Sequence, residues 1–196
     1  MKRIISLLLT LVLLLGCTAL AEAPATETVT LPGVGLTFEV PADWYYAVAG
    51  QSEGSSMAKL FGLPGVYLDA YLEQQGYTFY ATLDAQETSR LAVIVAPGTA
   101  LVDMRKEGVD MDALMEGFLQ TFSAGEVVDS RVYQTAEGAF ARIHCVAPVE
   151  GGTANLLVYA CNTNATIYVF NFVAFPGGEF PEAELDAIVN SVDFPD

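Results

Sequence analysis

The chain of 196 residues is 53% hydrophobic, and its 24 Asp and Glu residues against 8 Lys and Arg give a formal net charge of −16 at pH 7. This apolar content excludes intrinsic disorder, and one domain of this length buries a sizeable core. The negative charge repels phosphate backbones and anionic headgroups, so we expect no nucleic-acid partner, whereas cationic partners and divalent ions are electrostatically permitted. The simplest role of so many carboxylates is to keep an apolar-rich protein soluble.

The N-terminal segment predicts a secretory signal peptide over residues 1–21. Two positive charges precede an apolar run at 4–15 that is too short to span a bilayer. An Ala-Leu-Ala motif fits ordinary signal peptidase, whereas the overlapping Leu-Leu-Gly-Cys resembles a bacterial lipobox, which would shorten the leader to 1–16 and lipidate Cys17. The sequence leaves both alternatives open. Either one predicts an extracytoplasmic bacterial protein, secreted or held as a lipoprotein, whose membrane contact is limited to a lipid on Cys17.

Residues 22–27, rich in Ala, Thr, Pro and Glu, are typical of a tether, and we expect a single domain over 28–196. Frequent Pro-Gly and Gly-Gly turns cut this domain into short pieces, which favours antiparallel pairing. The stretch LTFEVPADWYY alternates from Leu36, stops at Pro41, and predicts that the only tryptophan, Trp44, packs in the core. The first three strands are predicted at 28–31, 36–40 and 45–48.

Three helical patterns follow. Residues 57–75 predict two helices broken at Pro64 and closed by Gly76, and residues 111–124 predict the clearest helix. That helix has Asp110 as its N-cap, Gly125 as its stop, and one apolar stripe: Met111, Leu114, Met115, Phe118, Leu119 and Phe122. The last helix follows Pro181 and carries a stripe of Leu185, Ile188, Val189 and Val192.

Two further strands, predicted at 77–83 and 90–96, show the alternation typical of strands. The last four, predicted at 127–134, 139–147, 155–161 and 166–175, are apolar on both faces, so the sheet that they form needs cover on both sides. Cys145 and Cys161 fall on consecutive strands of this series. A turn at Gly151-Gly152 would place Cys145 opposite Val158, which separates the two sulfurs by roughly 10 Å, too far for a disulfide. We therefore expect two buried free thiols.

The opening LTFEVPADW and the closing LDAIVNSVDF resemble the two ends of PsbP-like domains, and the order of elements between them is similar too. That family is named for an extrinsic subunit of the oxygen-evolving photosystem and is similar in fold to many exported bacterial proteins. The resemblance implies an α+β fold: an α/β/α sandwich with a central antiparallel sheet covered by helices on both faces. It also implies mostly non-catalytic binding or scaffolding roles and carries no shared catalytic set. A bacterial-type leader gives no support to a photosystem role.

A possible catalytic motif is the sequence Gly-Gln-Ser-Glu-Gly at 50–54, which fits the G-x-S-x-G nucleophile elbow. It defines one alternative function, a serine hydrolase using Ser52 with His144, the single histidine. An elbow belongs to a parallel sheet with a Gly-rich oxyanion loop, and this chain predicts neither. A mobile Gly/Ser loop and a structural histidine are the simpler interpretation.

Acidic residues at the start of the third predicted helix define a second alternative, a divalent-cation-binding surface protein. Asp110, Asp112 and Glu116 lie close together in the sequence, but the EF-hand pattern is lacking. Helix capping and a solvated helix face account for all three. We therefore predict no metal site and no cofactor.

Tyrosines provide the candidate binding surface. Tyr45 and Tyr46 precede the Gly50 loop, and Tyr67 and Tyr71 lie one helical turn apart. Tyrosine favours half-buried positions and interfaces, so we nominate these four residues as the contact surface. The sequence as a whole predicts a monomeric, non-enzymatic, exported binding or accessory domain whose partner is a protein or a small ligand.

Overall fold

The computed structural model describes residues 25–98, 102–164 and 166–195, so the predicted signal peptide and Cys17 lie outside the described residues. Within them the chain forms an α+β fold of nine strands and four helices. The strands are β1 Thr26–Thr30, β2 Thr37–Pro41, β3 Tyr45–Val48, β4 Phe79–Thr82, β5 Ser89–Pro97, β6 Glu126–Gln134, β7 Ala139–Val149, β8 Gly152–Thr163 and β9 Thr166–Ala174. The helices are α1 Ser56–Phe61, α2 Gly65–Gln75, α3 Met111–Phe122 and α4 Glu182–Asn190. In this part of the chain no helix is long and apolar enough to cross a membrane.

Seven strands form one antiparallel sheet in the order β3-β4-β5-β9-β8-β7-β6, and β1 pairs with β2 in a separate two-stranded sheet. The last four strands of the large sheet form a meander, in which each pairs with its neighbour in the sequence. The pairing of β5 with β9, from Ser89 opposite Ala174 to Pro97 opposite Thr166, joins this meander to the first half of the domain.

The large sheet buries side chains on both of its faces. Phe79 belongs to the main core cluster, whereas its neighbour Tyr80 belongs to a second cluster with Met57 of α1 and Leu68 of α2. Since adjacent residues of a strand point to opposite faces, β4 is apolar on both faces, a pattern that the sequence predicts only for the four strands after α3. The α4 stripe predicted from the sequence is buried in the main cluster: Leu185, Ile188, Val189 and Val192.

Strand β2 is attached to the end of the chain, because Thr37 pairs with Asp193 and the Glu39 N–H donates a hydrogen bond to Ser191 Oγ at 2.8 Å. Phe38 is buried and meets the rings of Phe79 and Phe170 edge-on, with centroids 5.1 and 5.4 Å away. Trp44 is also buried, and its Nε1 donates a hydrogen bond to Glu184 Oε2 of α4 at 3.2 Å. The predicted core positions of Phe38 and Trp44 are therefore confirmed, and the two stretches that carry the PsbP-like resemblance are in contact.

Local signals place most helix ends correctly. The predicted break at Pro64 separates α1 from α2, and Gly76 closes α2 in the left-handed conformation with φ 71°. The Asp110 side chain accepts a hydrogen bond from the Ala113 N–H at 3.1 Å, which confirms the predicted N-cap of α3.

Several predicted boundaries differ from the structure by one to three residues, and two of these differences have a clear physical reason. β1 begins at Thr26, inside the predicted tether, because Thr26 pairs with Pro41. Helix α3 ends at Phe122 rather than at residue 124, and Ser123 is already extended. Because the helix ends before residue 124, Gly125 lies against β7, where an added Cβ would be 2.3 Å from the carbonyl oxygen of Val146. Gly125 is therefore required for this close approach rather than as the helix stop.

The cysteines are free and buried, as predicted, although the predicted register is wrong. Val149 pairs with Gly152, so the turn consists of residues 150–151, and Cys145 lies opposite Leu156 instead of Val158. The corrected register moves Cys145 further from Cys161. Burial raises the pKa of the Cys161 thiol to about 12, which keeps it protonated and unreactive at neutral pH.

Replacement by alanine should have opposite effects on stability at two helical glycines. At Gly65 an added Cβ would lie 2.3 Å from the backbone nitrogen of Glu53, whereas at Gly117 it would meet nothing within 4 Å. We expect Gly65→Ala to lower the free energy of unfolding by roughly 1–3 kcal/mol through the clash. Gly117→Ala should raise it by about 0.5–1 kcal/mol because alanine is the better helix former. Urea denaturation of both variants measures the effects, and changes of the same sign would contradict the packing described.

Candidate binding surfaces

The four nominated tyrosines do not form one surface. Tyr46 of β3 stacks on Phe79 with ring centroids 5.6 Å apart, whereas Tyr71 of α2 meets Tyr80 edge-on at 6.0 Å. Residues 79 and 80 are neighbours in β4, so these two contacts lie on opposite faces of the sheet. Tyr45 pairs with Thr82 and, by strand alternation, faces the side opposite to Tyr46.

Tyr46 lines a polar groove of about 450 Å³ between β1 and the Gly50 loop. Its hydroxyl donates to Glu27 Oε2 at 2.8 Å, and burial together with Glu27 raises the pKa of Tyr46 to about 12. Glu53 and Lys59 also line the groove. The Tyr46 hydroxyl is therefore protonated and already hydrogen-bonded, and the groove is lined by hydroxyl, carboxylate and ammonium groups rather than by one kind of polar group.

The other two nominated tyrosines belong to what we call the α2 surface, formed by Leu63, Val66, Tyr67 and Tyr71. These side chains are respectively 45, 66, 66 and 37% exposed. Tyr67 and Tyr71 are four residues apart, so they lie on the same side of the helix. An exposed apolar patch of this kind marks an interaction site more often than scattered single residues do.

The α2 surface carries no charged residue, although α2 contains two carboxylates. Asp69 turns to the Gly50 loop, where Oδ1 accepts a hydrogen bond from the Gly50 N–H at 2.8 Å. Glu73 is exposed but follows Tyr67 by six residues, which places it roughly 120° from that tyrosine around the helix at 3.6 residues per turn; it follows Val66 by seven and lies on the Val66 side of the helix. The side of the helix that carries Tyr67 and Tyr71 is therefore neutral and aromatic in a strongly acidic protein, with a carboxylate at its border.

Ser52 has a structural role in the Gly50 loop. It is completely buried, and its Oγ donates to Asp69 Oδ1 at 2.6 Å. His144 of β7 instead stacks on Phe180 with centroids 5.0 Å apart, and its Nε2 lies 3.3 Å from Asn155 Oδ1. Four strands separate β3 from β7, a distance of roughly 24 Å at the usual strand spacing. The structure therefore does not bring Ser52 and His144 into the pair that the hydrolase alternative needs.

The carboxylates at the start of α3 are arranged as a cap and a solvated face. Asp110 bonds to the helix N-terminus, and Asp112 and Glu116 are exposed. Within the described ranges, no group of three or more His, Cys, Asp or Glu side chains is placed to hold a metal ion.

A buried arginine network is the main polar feature that the sequence did not predict. Arg142 of β7 is 1% exposed, and it donates from Nη1 to Asp129 Oδ2 at 2.8 Å and from Nε to the Tyr159 hydroxyl at 3.1 Å. It also donates from Nη2 to Glu182 of α4, and the Tyr159 hydroxyl donates to Asp186 of the same helix. Burial and the Asp186 bond raise the pKa of Tyr159. The network attaches α4 to the sheet.

The sequence contained one signal of this network. Arg142 interrupts the apolar run of β7, and an arginine that is buried in a sheet needs carboxylate partners. Glu182 and Asp186, four residues apart on one helix, are such partners. Nothing in the sequence indicates that this helix packs over Arg142.

A second cleft, of about 510 Å³, lies between α3 and the sheet. Its walls include Leu114 and Phe118 of α3, together with Ile94 of β5 and Val169 of β9. The sequence predicted the apolar stripe of α3 but not this gap beneath it.

The order and pairing of the strands define an α+β domain with a mostly antiparallel sheet. Its fold is PsbP-like, as the resemblance of its two ends implied. The solution structure of cyanobacterial PsbP from Synechocystis sp. matches with a TM-score of 0.51 and 11% sequence identity, and the match covers 91% of this chain and 97% of that protein. This likeness concerns the fold alone.

A crystal structure from Bacteroides thetaiotaomicron gives a TM-score of 0.49 at 11% identity over 82% of this chain. The chain spans less than half of that protein, 45% of its length. No protein-family profile matches the sequence, and no curated protein matches it either.

The Ser52–Asp69 contact predicts a coupled loss of stability. We expect Ser52→Ala and Asp69→Ala each to lower the free energy of unfolding by about 1–3 kcal/mol, because each leaves a buried or half-buried partner without its hydrogen bond. In the double variant the free energy of unfolding should fall by at least about 0.5 kcal/mol less than the sum of the two single losses, because both substitutions remove the same contact. Urea denaturation provides the measurement, with Ser130→Ala, at an exposed serine of β6, as the matched control.

Strict additivity of the two substitutions would contradict a direct Ser52–Asp69 contact. Hydrolysis of p-nitrophenyl acetate that disappears in folded Ser52→Ala would instead favour the hydrolase alternative.

Proposed function

We propose that this chain is a non-enzymatic, extracytoplasmic binding or accessory domain and that it binds a partner protein through the α2 surface. The observation that carries the proposal is the neutral patch of Leu63, Val66, Tyr67 and Tyr71 on a protein in which 24 of 196 residues are acidic. Aromatic residues are enriched, and charged residues depleted, at the centres of protein interfaces.

The chemistry of the α2 surface defines the partner. Tyrosine contributes a large contact area with few rotatable bonds, so Tyr67 and Tyr71 bind at a low entropic cost. Carboxylates such as Glu73 surround the patch and attract a partner that carries Lys or Arg around an apolar centre. We therefore expect a protein with an apolar contact region and a basic rim.

Helix α2 is held firmly enough to present this surface without rearrangement. Leu68 and Leu72 on its inner side are buried at 6 and 0% exposure. Asp69 accepts hydrogen bonds from the Gly50 loop, and Gly65 packs directly against the backbone of Ser52 and Glu53. A surface that needs little ordering loses little binding free energy when its partner docks.

We further propose that the layers complete an α/β/α sandwich. The alternation within β4 supports it, because Phe79 packs with Phe38 in the main cluster and Tyr80 packs with Met57 and Leu72 in the second cluster. Under this proposal α1, α2 and α3 cover one face of the sheet, and α4 covers the other face together with β1 and β2.

We propose export because residues 1–21 have the charge and apolar pattern of a signal peptide. The mature protein is secreted or is anchored as a lipoprotein through Cys17, and we expect it to be monomeric before it meets its partner.

Site-specific photo-crosslinking tests the partner surface. With p-benzoylphenylalanine at position 67, irradiation of the native cell envelope should give one adduct of defined mass. Val66→Ser in the same protein should reduce its yield at least about fivefold, because an exposed interface residue affects binding but not folding. The same probe at Ser130, an exposed residue of β6 at the edge of the sheet opposite to β3, serves as the control.

Identical adducts from positions 67 and 130, or a yield that Val66→Ser leaves unchanged, would contradict the α2 surface as the site of binding. Thermal unfolding of each variant verifies that the fold is intact.

A further inference from the structure

Helix α3 covers the sheet incompletely. Its apolar stripe is the clearest in the sequence, but Phe118 is its only fully buried residue. Leu114 and Phe122 are half-buried, and the Phe122 ring stacks on Phe118 with centroids 6.0 Å apart. By contrast, three residues of the shorter helix α4 are fully buried. The stripe as a whole packs against the main core cluster, but its side formed by Leu114, Phe118 and Phe122 borders a gap between the helix and the sheet.

The gap is a cleft of about 510 Å³ that is open to solvent along α3. Its sheet side is mainly apolar: five apolar residues line it together with one polar residue, Asn162 of β8. The apolar ones are Ile94, Ala96, Pro97, Ile167 and Val169. Ligand sites in proteins usually measure about 300–1,000 Å³ and are mainly apolar. An apolar cavity of about 150 Å³ holds one benzene molecule, so this cleft accommodates a molecule roughly three times as large.

The polar side chains of the cleft are engaged within the protein. Thr121 Oγ1 donates to the carbonyl oxygen of Gly117 at 2.9 Å. Asn162 Nδ2 donates to the carbonyl oxygens of Val102 and Asn164. None of the described lining residues carries a charge.

We propose that this cleft binds a neutral, apolar small molecule. A charged group placed there would lose its hydration without gaining an ionic partner, which is unfavourable. The net charge of −16 further disfavours anionic amphiphiles such as fatty acids. The ligand is therefore bound only through shape complementarity and the burial of apolar surface. A ring system or an uncharged hydrocarbon chain meets both requirements.

The residue at position 117 controls the space in the cleft. Gly117 lies in the middle of α3 and lines the cleft, and an added Cβ there meets no atom within 4 Å. Glycine inside a helix costs stability, so packing and helix propensity give no reason for it. Its lack of a side chain keeps the cleft open. A leucine at this position would occupy part of the ligand volume without breaking the helix.

This proposal is independent of the α2 surface, since the two sites share no residue. Binding of a partner protein by α2 and binding of a small molecule under α3 therefore succeed or fail separately.

The test uses N-phenyl-1-naphthylamine, a neutral apolar dye whose fluorescence rises in apolar surroundings, with the purified exported protein. We expect saturable binding at one site per chain. Gly117→Leu should weaken it at least about tenfold, and Ala113→Leu, at a second lining position, should do the same. Gly117→Ala, which fills little of the cleft, should stay within about threefold of the wild type. Gln120→Leu places the same side chain on an exposed residue that does not line the cleft, and should leave binding unchanged.

Several outcomes would overturn the proposal. The dye could fail to saturate, or it could bind the two leucine variants of the cleft as well as it binds the wild type while all unfold cooperatively. Dodecanoate could displace the dye more strongly than uncharged dodecanol does, which would make the ligand an anion. Sedimentation could show a dimer that excludes the dye, which would make a second copy of the chain the occupant.

Discussion

The constraint on which the fold depends is that its central strands are apolar on both faces. Phe79 and Tyr80, neighbours in β4, are both buried at 1% exposure or less. A sheet of this kind is unstable in water until other elements cover it. Phe38 of β2 and the stripe of α4 pack in one cluster, and Met57 and Leu68 of α1 and α2 pack in the other. The positions of these elements follow from that requirement.

The helices that cover the sheet bury different fractions of their own apolar residues. The candidate sites lie at the helices that leave apolar residues exposed or only half-buried. Helix α4 buries its whole stripe and is joined to the sheet by the Arg142 network. Helix α2 buries its inner side but leaves the aromatic α2 surface in solvent, and α3 leaves a cleft. Exposed apolar area is tolerated in proteins mainly where it binds something. The proposed functions are therefore consequences of how the sheet is covered.

Local chemistry made much of the fold predictable from the sequence. Pro64 and Gly76 bounded the helices, Asp110 capped α3, and the alternation around Phe38 and Trp44 identified core. Non-local features had no such signal. The β5–β9 pairing joins segments about 70 residues apart in the sequence, and the β7–β8 register shifted because the turn lies one residue earlier than the glycine pair indicated.

The candidate sites were predicted only in part, for a geometric reason. The sequence identified Tyr67 and Tyr71 as neighbours through helical periodicity, but it could not separate Tyr46 from them, because that depends on which face of β4 each ring meets. The cleft escaped prediction because a hydrophobic stripe shows which side of α3 turns inward, not how closely it docks. The Arg142 network depends in the same way on the packing of α4 over β7.

Native-state amide hydrogen exchange measures whether α3 covers the sheet less completely than α4 does. Amides of Leu185–Val189 should exchange only through global unfolding, whereas those of Gly117–Phe122 should exchange at least about tenfold faster through local opening, since few buried contacts hold that helix. Equal protection of the two helices, both at the level of global unfolding, would show that α3 packs on the sheet as closely as α4 does.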